Sequence, residues 1–419
     1  MKKLILSIAL ALCVIASYGQ NLTQMYKNGV VNLQEDAGFG VKIKPEELFY
    51  DIDARREDGK DGKNKAIVLA PDGSIFMSHR SRHSITKFDR NGNLVKHFGK
   101  KGGNEADFVY MPYVVGILSG KYLATSAVDG RMLFFDLNGE WVKTIALDYV
   151  PLDNAMLAND KFAILGHTSW KTKIRRFVAI KDFNTGTEKV IWEHFEGMEI
   201  KNSIQTRTPS GGITTWSLPF SHPSFTLPKL LATPDGNLTL VFPASGEIKI
   251  YSPEGKLLKS YTVSTGERLT ITQEEREAYY NKALEYVKSM EKELLTAKGQ
   301  QKENLELTIS QFKQQIDKYL DPAYYPEELP EISQAMFDSD GNLLVFAFTK
   351  ESTENKFVFY SYDDLGNKIG QSSFESDTYN LNFSNSKFVF FEGDVIAVQT
   401  LAADSSKIPI RLVRFKLKN

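Results

Sequence analysis

The chain has 419 residues, with 51 Lys and Arg against 52 Asp and Glu and a formal net charge of −1. That balance supplies no global field to draw the protein to nucleic acid or to an anionic membrane surface. Aromatic residues make up 12% of the chain and no long stretch is wholly polar, which excludes a largely disordered protein.

The first element is a leader. Lys2 and Lys3 precede an apolar run from Leu4 to Ile15, and Ser17-Tyr18-Gly19 supplies small residues for cleavage after Gly19. The run is shorter than the roughly 20 residues a helix needs to cross a bilayer. Cys13, the only cysteine, follows Leu12, whereas lipid attachment wants a small residue directly before the cysteine. The leader therefore reads as a cleavable signal peptide over 1–19, not a lipoprotein anchor, and the mature chain as periplasmic or secreted. Without Cys13 the mature chain has no disulfide, thiolate metal site or cysteine nucleophile.

From Ala66 the chain alternates short apolar runs with turn dipeptides. Ala66–Ala70, Ser74–Ser78, Ser84–Asp89 and Leu94–Phe98 read as four antiparallel strands, joined at Asp72-Gly73 and Asn91-Gly92. These dipeptides suit type I′ hairpin turns, where glycine and asparagine tolerate positive φ. The same grammar returns over 120–147, 233–263 and 338–374, and more weakly over 154–195 and 386–417. The last copy lacks an obvious fourth strand, and Gly40–Ile43 is a plausible strand to complete it from the other end of the chain. Four-stranded units of ~40 residues signal a β-propeller, here all-β with six blades over 20–419. Two β-sandwiches would also space short strands evenly, but have no reason to repeat this turn grammar.

Phe88-Asp89 with Asn91-Gly92 and Phe98-Gly99, followed by Gly102-Gly103-Asn104-Glu105 and Phe108, resembles the blade ending of secreted bacterial six-bladed propellers related to NHL repeats. Here the proline of the family's Gly-Pro-Gly-Glu-Phe-like stretch is absent, and two residues separate Glu105 from Phe108. The resemblance implies fold more than function, because propellers host binding, scaffolding and catalysis alike.

The repeat phase assigns the long segments 99–111, 196–226 and 264–331 to links between an outer strand and the next inner strand, so all three decorate one face. Within the third, Thr272 and Glu275 form a capping box, and Tyr279, Ala283, Tyr286, Met290 and Leu294 follow at helical spacing. Gly299 suits a helix stop. Leu305, Ile309, Phe312, Ile316 and Tyr319 mark a second helix ended by Pro322, so 272–320 reads as a helical hairpin.

Loops on that face contribute His79, Arg80, Arg82, His83, Asp129, Arg131, His167, Trp170, Trp216 and His222 as candidate ligand- or partner-binding residues. Arginines there could grip a carboxylate or an acidic sugar. No P-loop, His-Glu-x-x-His or Gly-x-Ser-x-Gly motif is present, and no catalytic or metal-binding set is assigned. Asp338-Ser339-Asp340-Gly341-Asn342 has the start of a calcium loop, but its twelfth position is Thr349, so a β-turn is the expectation. The reading is an extracytoplasmic, non-enzymatic binding scaffold without a cofactor. It would hold a cell-envelope protein or an extracellular small molecule or glycan. The alternatives are a propeller lyase or hydrolase acting on a sugar or ester, and a ligand sensor.

Overall fold

The structure is a computed structural model. It describes residues 21–40, 67–79, 83–127, 129–170, 173–197, 203–207, 211, 213–218, 227–266, 268–349, 351–353, 355–381, 388–401 and 411–418. The leader, Arg80, Arg82, His222 and residues 41–43 lie outside that set.

Strands follow where apolar and β-branched residues alternate between glycine turns. Sheet I comprises Ile67–Leu69, Ile75–His79, Ser84–Phe88 and Leu94–Phe98 in sequence order. Sheet II comprises Pro112–Leu118, Tyr122–Ala127, Arg131–Asp136 and Trp141–Ala146. Sheet III has Val150–Met156, Lys161–Trp170, Lys173–Asp182 and Glu188–Gly197, and sheet IV has Lys229–Ala232, Leu238–Phe242, Glu247–Tyr251 and Leu257–Thr262. All neighbouring strands in these four sheets are antiparallel.

Nine further strands, one of them the short Tyr379–Asn380 paired to Asp394–Leu401, join into one sheet V. Gln334–Phe337, Leu343–Phe346, Lys356–Tyr362 and Lys368–Glu375 form its first part, and Phe388–Phe391, Asp394–Leu401 and Arg411–Lys418 its second. Between the parts runs Val30–Glu35, parallel to Lys368–Glu375 and antiparallel to Arg411–Lys418. The strand that completes the last unit is thus Val30–Glu35, not Gly40–Ile43. Its Val31 and Leu33 point inward, 0% and 7% exposed, while Val30 and Asn32 face out. The preceding helix α1, Leu22–Lys27, is capped by Asn21 and buries Leu22, Met25 and Tyr26 in the same core.

Packing joins the sheets in a circle. Because side chains alternate across a strand, each middle strand feeds two cores. Phe76 packs with Val114, Leu123 and Phe135 of sheet II, while Ile75 and Met77 pack with Ile396 and Leu412 of sheet V. Sheet II meets sheet III through Phe134 and Phe162. Sheet III meets IV through Leu165, Val178 and Leu240, and IV meets V through Val241, Leu343 and Tyr362. The last core, around Phe359, Phe374, Val395 and Phe415, knits the two parts of sheet V. This is an all-β, propeller-like ring.

Two local devices lock neighbouring sheets at their outer turns. Lys87, Lys143, Lys189 and Lys259 each donate to a backbone carbonyl in the outer turn of the next sheet, at Leu137, Phe183, Glu254 and Asp364 respectively. Gly139 leaves room for Phe98 of the preceding sheet, whose ring would lie 2.6 Å from a Cβ placed there. Gly92 does the same for Phe39, in the turn after the N-terminal strand.

The turns differ from the type I′ expectation. In Asp89-Arg90-Asn91-Gly92-Asn93 only Gly92 has positive φ, at 78°. Asp89 Oδ1 accepts the Asn91 and Asn93 amides at 2.9 and 2.8 Å, and the Gly92 amide donates to the Asp89 carbonyl at 3.0 Å. That is a type I turn closed by a glycine bulge, with the matching register shift after Lys87. Asp338-Ser339-Asp340-Gly341-Asn342 closes the same way: its Asp338 carboxylate accepts from Asp340, Asn342 and the Asn342 side chain, all within 2.9 Å. Positive φ at both turn residues occurs instead at Ser119-Gly120, Asn159-Asp160 and Glu392-Gly393.

Antiparallel order puts the links between sheets at one end of the ring, with the turns between second and third strands. The turns between first and second strands, and between third and fourth, lie at the other end.

Candidate functional site

The link face carries two raised segments that fold on each other. The hairpin Ser203–Arg207 and Ile213–Ser217 forms a two-stranded sheet with no ladder to the others. The second segment holds α2, Gln273–Leu294, and α3, Gly299–Lys313, followed by a 3₁₀ turn at Ile316–Tyr319. Thr272 and Glu275 make both bonds of the capping box, at 3.2 and 2.8 Å. Gly299 opens the second helix with φ of 53°, so it marks a start where a stop was expected.

Ala283, Val287 and Met290 of α2 pack against Ile309 and Phe312 of α3 and against Ile316. Val287, not Tyr286, takes the inward position; Tyr286 is 46% exposed. Ile204 and Trp216 bring the hairpin onto this core, with Trp216 edge-on to Phe312 at 5.3 Å. Trp216 is therefore a packing residue.

Polar side chains complete the joint. Gln311, Gln315 and Lys318 lie three or four residues apart on one side of the helix and its 3₁₀ extension. Gln311 Oε1 accepts the Arg207 amide at 2.6 Å, Gln315 Nε2 donates to the Gln205 carbonyl at 2.7 Å, and Lys318 donates to the Ser203 carbonyl at 2.9 Å. Alternate residues of a strand expose backbone groups on one edge, and this row covers that edge in place of another strand. The sequence held the signal, Gln-x-x-x-Gln-x-x-Lys, but nothing marked its target.

The other candidate residues are scattered or already engaged. Asp129 binds Arg131 Nε at 2.7 Å, and the same guanidinium reaches the Asp107 carbonyl at 3.1 Å, pinning link 99–111 to sheet II. Asp129 would have to release that arginine to act as a base. His83 occupies a turn with φ of 50°. His167 lies in the second strand of sheet III, cross-strand from Val150 and Arg176. Arg176, nearly buried, is held by Glu196 at 2.8 Å. His79 and Trp170 belong to second strands, and their side chains are outside the described set. Among the described residues no three His, Cys, Asp or Glu side chains converge as metal ligands.

Sequence reading passed over Lys229, at the start of the inner strand of sheet IV. Its ammonium donates to the Ser333 carbonyl and to Gln334 Oε1 of sheet V. Asp153 of sheet III accepts the Leu230 amide at 2.8 Å, so successive inner strands satisfy one another's edges. Burial pulls the Lys229 pKa down to about 8, against the opposing pull of Asp153. The unfolded chain then binds more protons than the folded chain between pH 8 and about 10.4, and stability rises with pH through that interval. Above about 10 the buried tyrosines oppose this, because burial raises the Tyr26 pKa and the unfolded phenol ionises first. Lys229→Met is expected to abolish the rise between pH 8 and 10 in urea-melt midpoints, isolating the lysine from the tyrosines. An unchanged pH profile in that variant would contradict the assignment.

No family model matches the chain, and no curated protein matches it. A Bacteroides fragilis protein described as exported aligns over 93% of this chain and 95% of its own, at 11% identity and a TM-score of 0.48. A DUF4221 family member from Bacteroides vulgatus aligns over 93% and 98%, at 12% identity and 0.47. Virginiamycin B lyase from Staphylococcus aureus aligns over 93% and 99%, at 10% identity and 0.40. Among the described residues no helix is long and apolar enough to cross a membrane.

Proposed function

We propose that this chain is a six-bladed propeller of the NHL-like type, exported by its 1–19 leader. In this reading it acts as a non-enzymatic scaffold that holds a cell-envelope protein or an extracellular ligand on its link face. Six blades are supported by the six inner strands that surround one channel and by Val30–Glu35 serving as the fourth strand of the last unit. The binding reading rests on one observation: two long links, otherwise free to lie apart, share a core around Phe312 and stand as one platform beside the ring. Independent loops rarely bury an aromatic cluster unless a fixed shape is useful, and fixed loops on rigid scaffolds are where recognition concentrates. The engaged Asp129–Arg131 pair and the packed Trp216 weigh against an enzyme using those residues.

The test replaces residues 272–320 with a short Gly-Ser linker and compares partners cross-linked in the native envelope. The reading expects at least one partner of the wild-type chain to disappear while the melting temperature of the ring changes little. Identical cross-links from both proteins would sink it.

A further inference from the structure

The opposite face contains a formed cavity. A channel of about 510 Å³ runs among the inner strands and opens by the short first-to-second-strand turns, next to Pro71, Gly120, Pro234 and Ser339. Cavities of 300–1,000 Å³ are the size that takes small ligands. Its wall is a collar with one side chain from each inner strand: Leu69, Ile117, Met156, Ala232, Phe337 and Phe390. Five of these, all but Met156, are only half-buried, and in the four strands that hold Leu69, Ile117, Ala232 and Phe337 the other described apolar residues are nearly fully buried. Apolar surface left facing a cavity stabilises whatever apolar group fills it, because that surface leaves water.

The collar also says what the occupant is. Ala232 and Gly116 are small and leave room in the wall, while Phe337 and Phe390 supply aromatic rings on which a flat, ring-bearing occupant can stack. Among the described residues of the wall Asp338 is the only titratable one, and its carboxylate is taken up by three N–H donors of its own turn. None of these described residues offers a free charge to neutralise a charged ligand, and an unpaired charge is costly to bury. What remains for polar recognition is the open backbone edge of the inner strands.

We propose that this channel is a binding site for a compact, uncharged, ring-bearing small molecule entering from the short-turn face. It is separate from the platform on the link face and does not depend on it.

The probe is N-phenyl-1-naphthylamine, neutral and fluorescent in apolar surroundings, titrated into the full mature chain. The expected result is saturable one-to-one binding, weakened at least tenfold by Ala232→Phe, which fills the slot, and by Ile117→Gln, which makes the collar polar. Both sites are half-buried, so the fold tolerates them, and either variant that melts like the wild type suffices. Replacing 272–320 is expected to leave the titration unchanged, which separates this site from the platform. Absence of saturable binding, equal binding by both collar variants, or loss only on removal of the helices would overturn the proposal.

Discussion

Deleting residues 21–35 is expected to abolish cooperative folding of the ring. Those residues supply the strand Val30–Glu35, which bonds to Lys368–Glu375 on one side and Arg411–Lys418 on the other. Their loss leaves two sheet edges bare and opens the core beneath α1, where Leu22, Tyr26 and Val31 are all 0% exposed. Hydrogen bonds from Ser372 Oγ to the Tyr26 carbonyl at 2.6 Å and from Tyr379 to Glu35 at 2.8 Å go with them. Tyr26→Ala alone is expected to cost about 3–5 kcal/mol, the range for truncating a large buried ring. A domain stabilised by the usual 5–15 kcal/mol survives that single change but not the whole deletion. Circular dichroism melts of the purified variants check this. A deletion mutant with a sharp transition near the wild-type temperature would show that the ring closes by other means.

Phe312→Ala is expected to give an equally large but local effect. The ring is 1% exposed and meets Trp216 at 5.3 Å and Tyr286 at 6.0 Å, so its removal leaves a cavity worth about 3–5 kcal/mol. The hairpin 203–217 has no ladder bonds to the ring, so the loss stays within the platform. Hydrogen exchange is expected to accelerate over 203–218 and 273–319 while the middle strands of sheets I–V keep their protection. Uniform acceleration across both regions would mean that platform and ring unfold as one unit.

Much of the ring was legible because its grammar is local. An aspartate or asparagine before glycine, flanked by alternating apolar residues, must turn the chain whatever surrounds it. The type of turn was less legible, since I′ turns and type I turns with a glycine bulge both need glycine in the left-handed region. They differ in the residue before it, and among the described residues Ser119 and Glu392 adopt positive φ there, while Asn159-Asp160 makes the same turn without a glycine. The closing strand was misplaced by several residues because Val30–Glu35 and Gly40–Ile43 are both short and alternating. Only pairing with Arg411–Lys418 separates them. Lysines 143, 189 and 259 carry no local pattern that marks a partner, yet each spans to a carbonyl of the next sheet.

The candidate site was read less well, for a related reason. Arg131, Trp216 and Asp129 are residue types that often bind ligands, but sequence alone does not tell whether a neighbour already occupies them. Conversely, the collar residues are ordinary apolar strand residues, and their half-exposure exists only once the inner strands of the ring face one another.

The pairing of head and tail is tested most directly by a cross-link. Asn32 and Lys418 are register partners in antiparallel strands, and opposed residues there lie within reach of a disulfide. In a chain begun at residue 20, and so without Cys13, the double variant Asn32→Cys with Lys418→Cys is predicted to oxidise fully to an intramolecular bond and to melt at a higher temperature than its reduced form. Two free thiols after oxidation, in a protein that still folds, would contradict a ring sealed by its N-terminal strand.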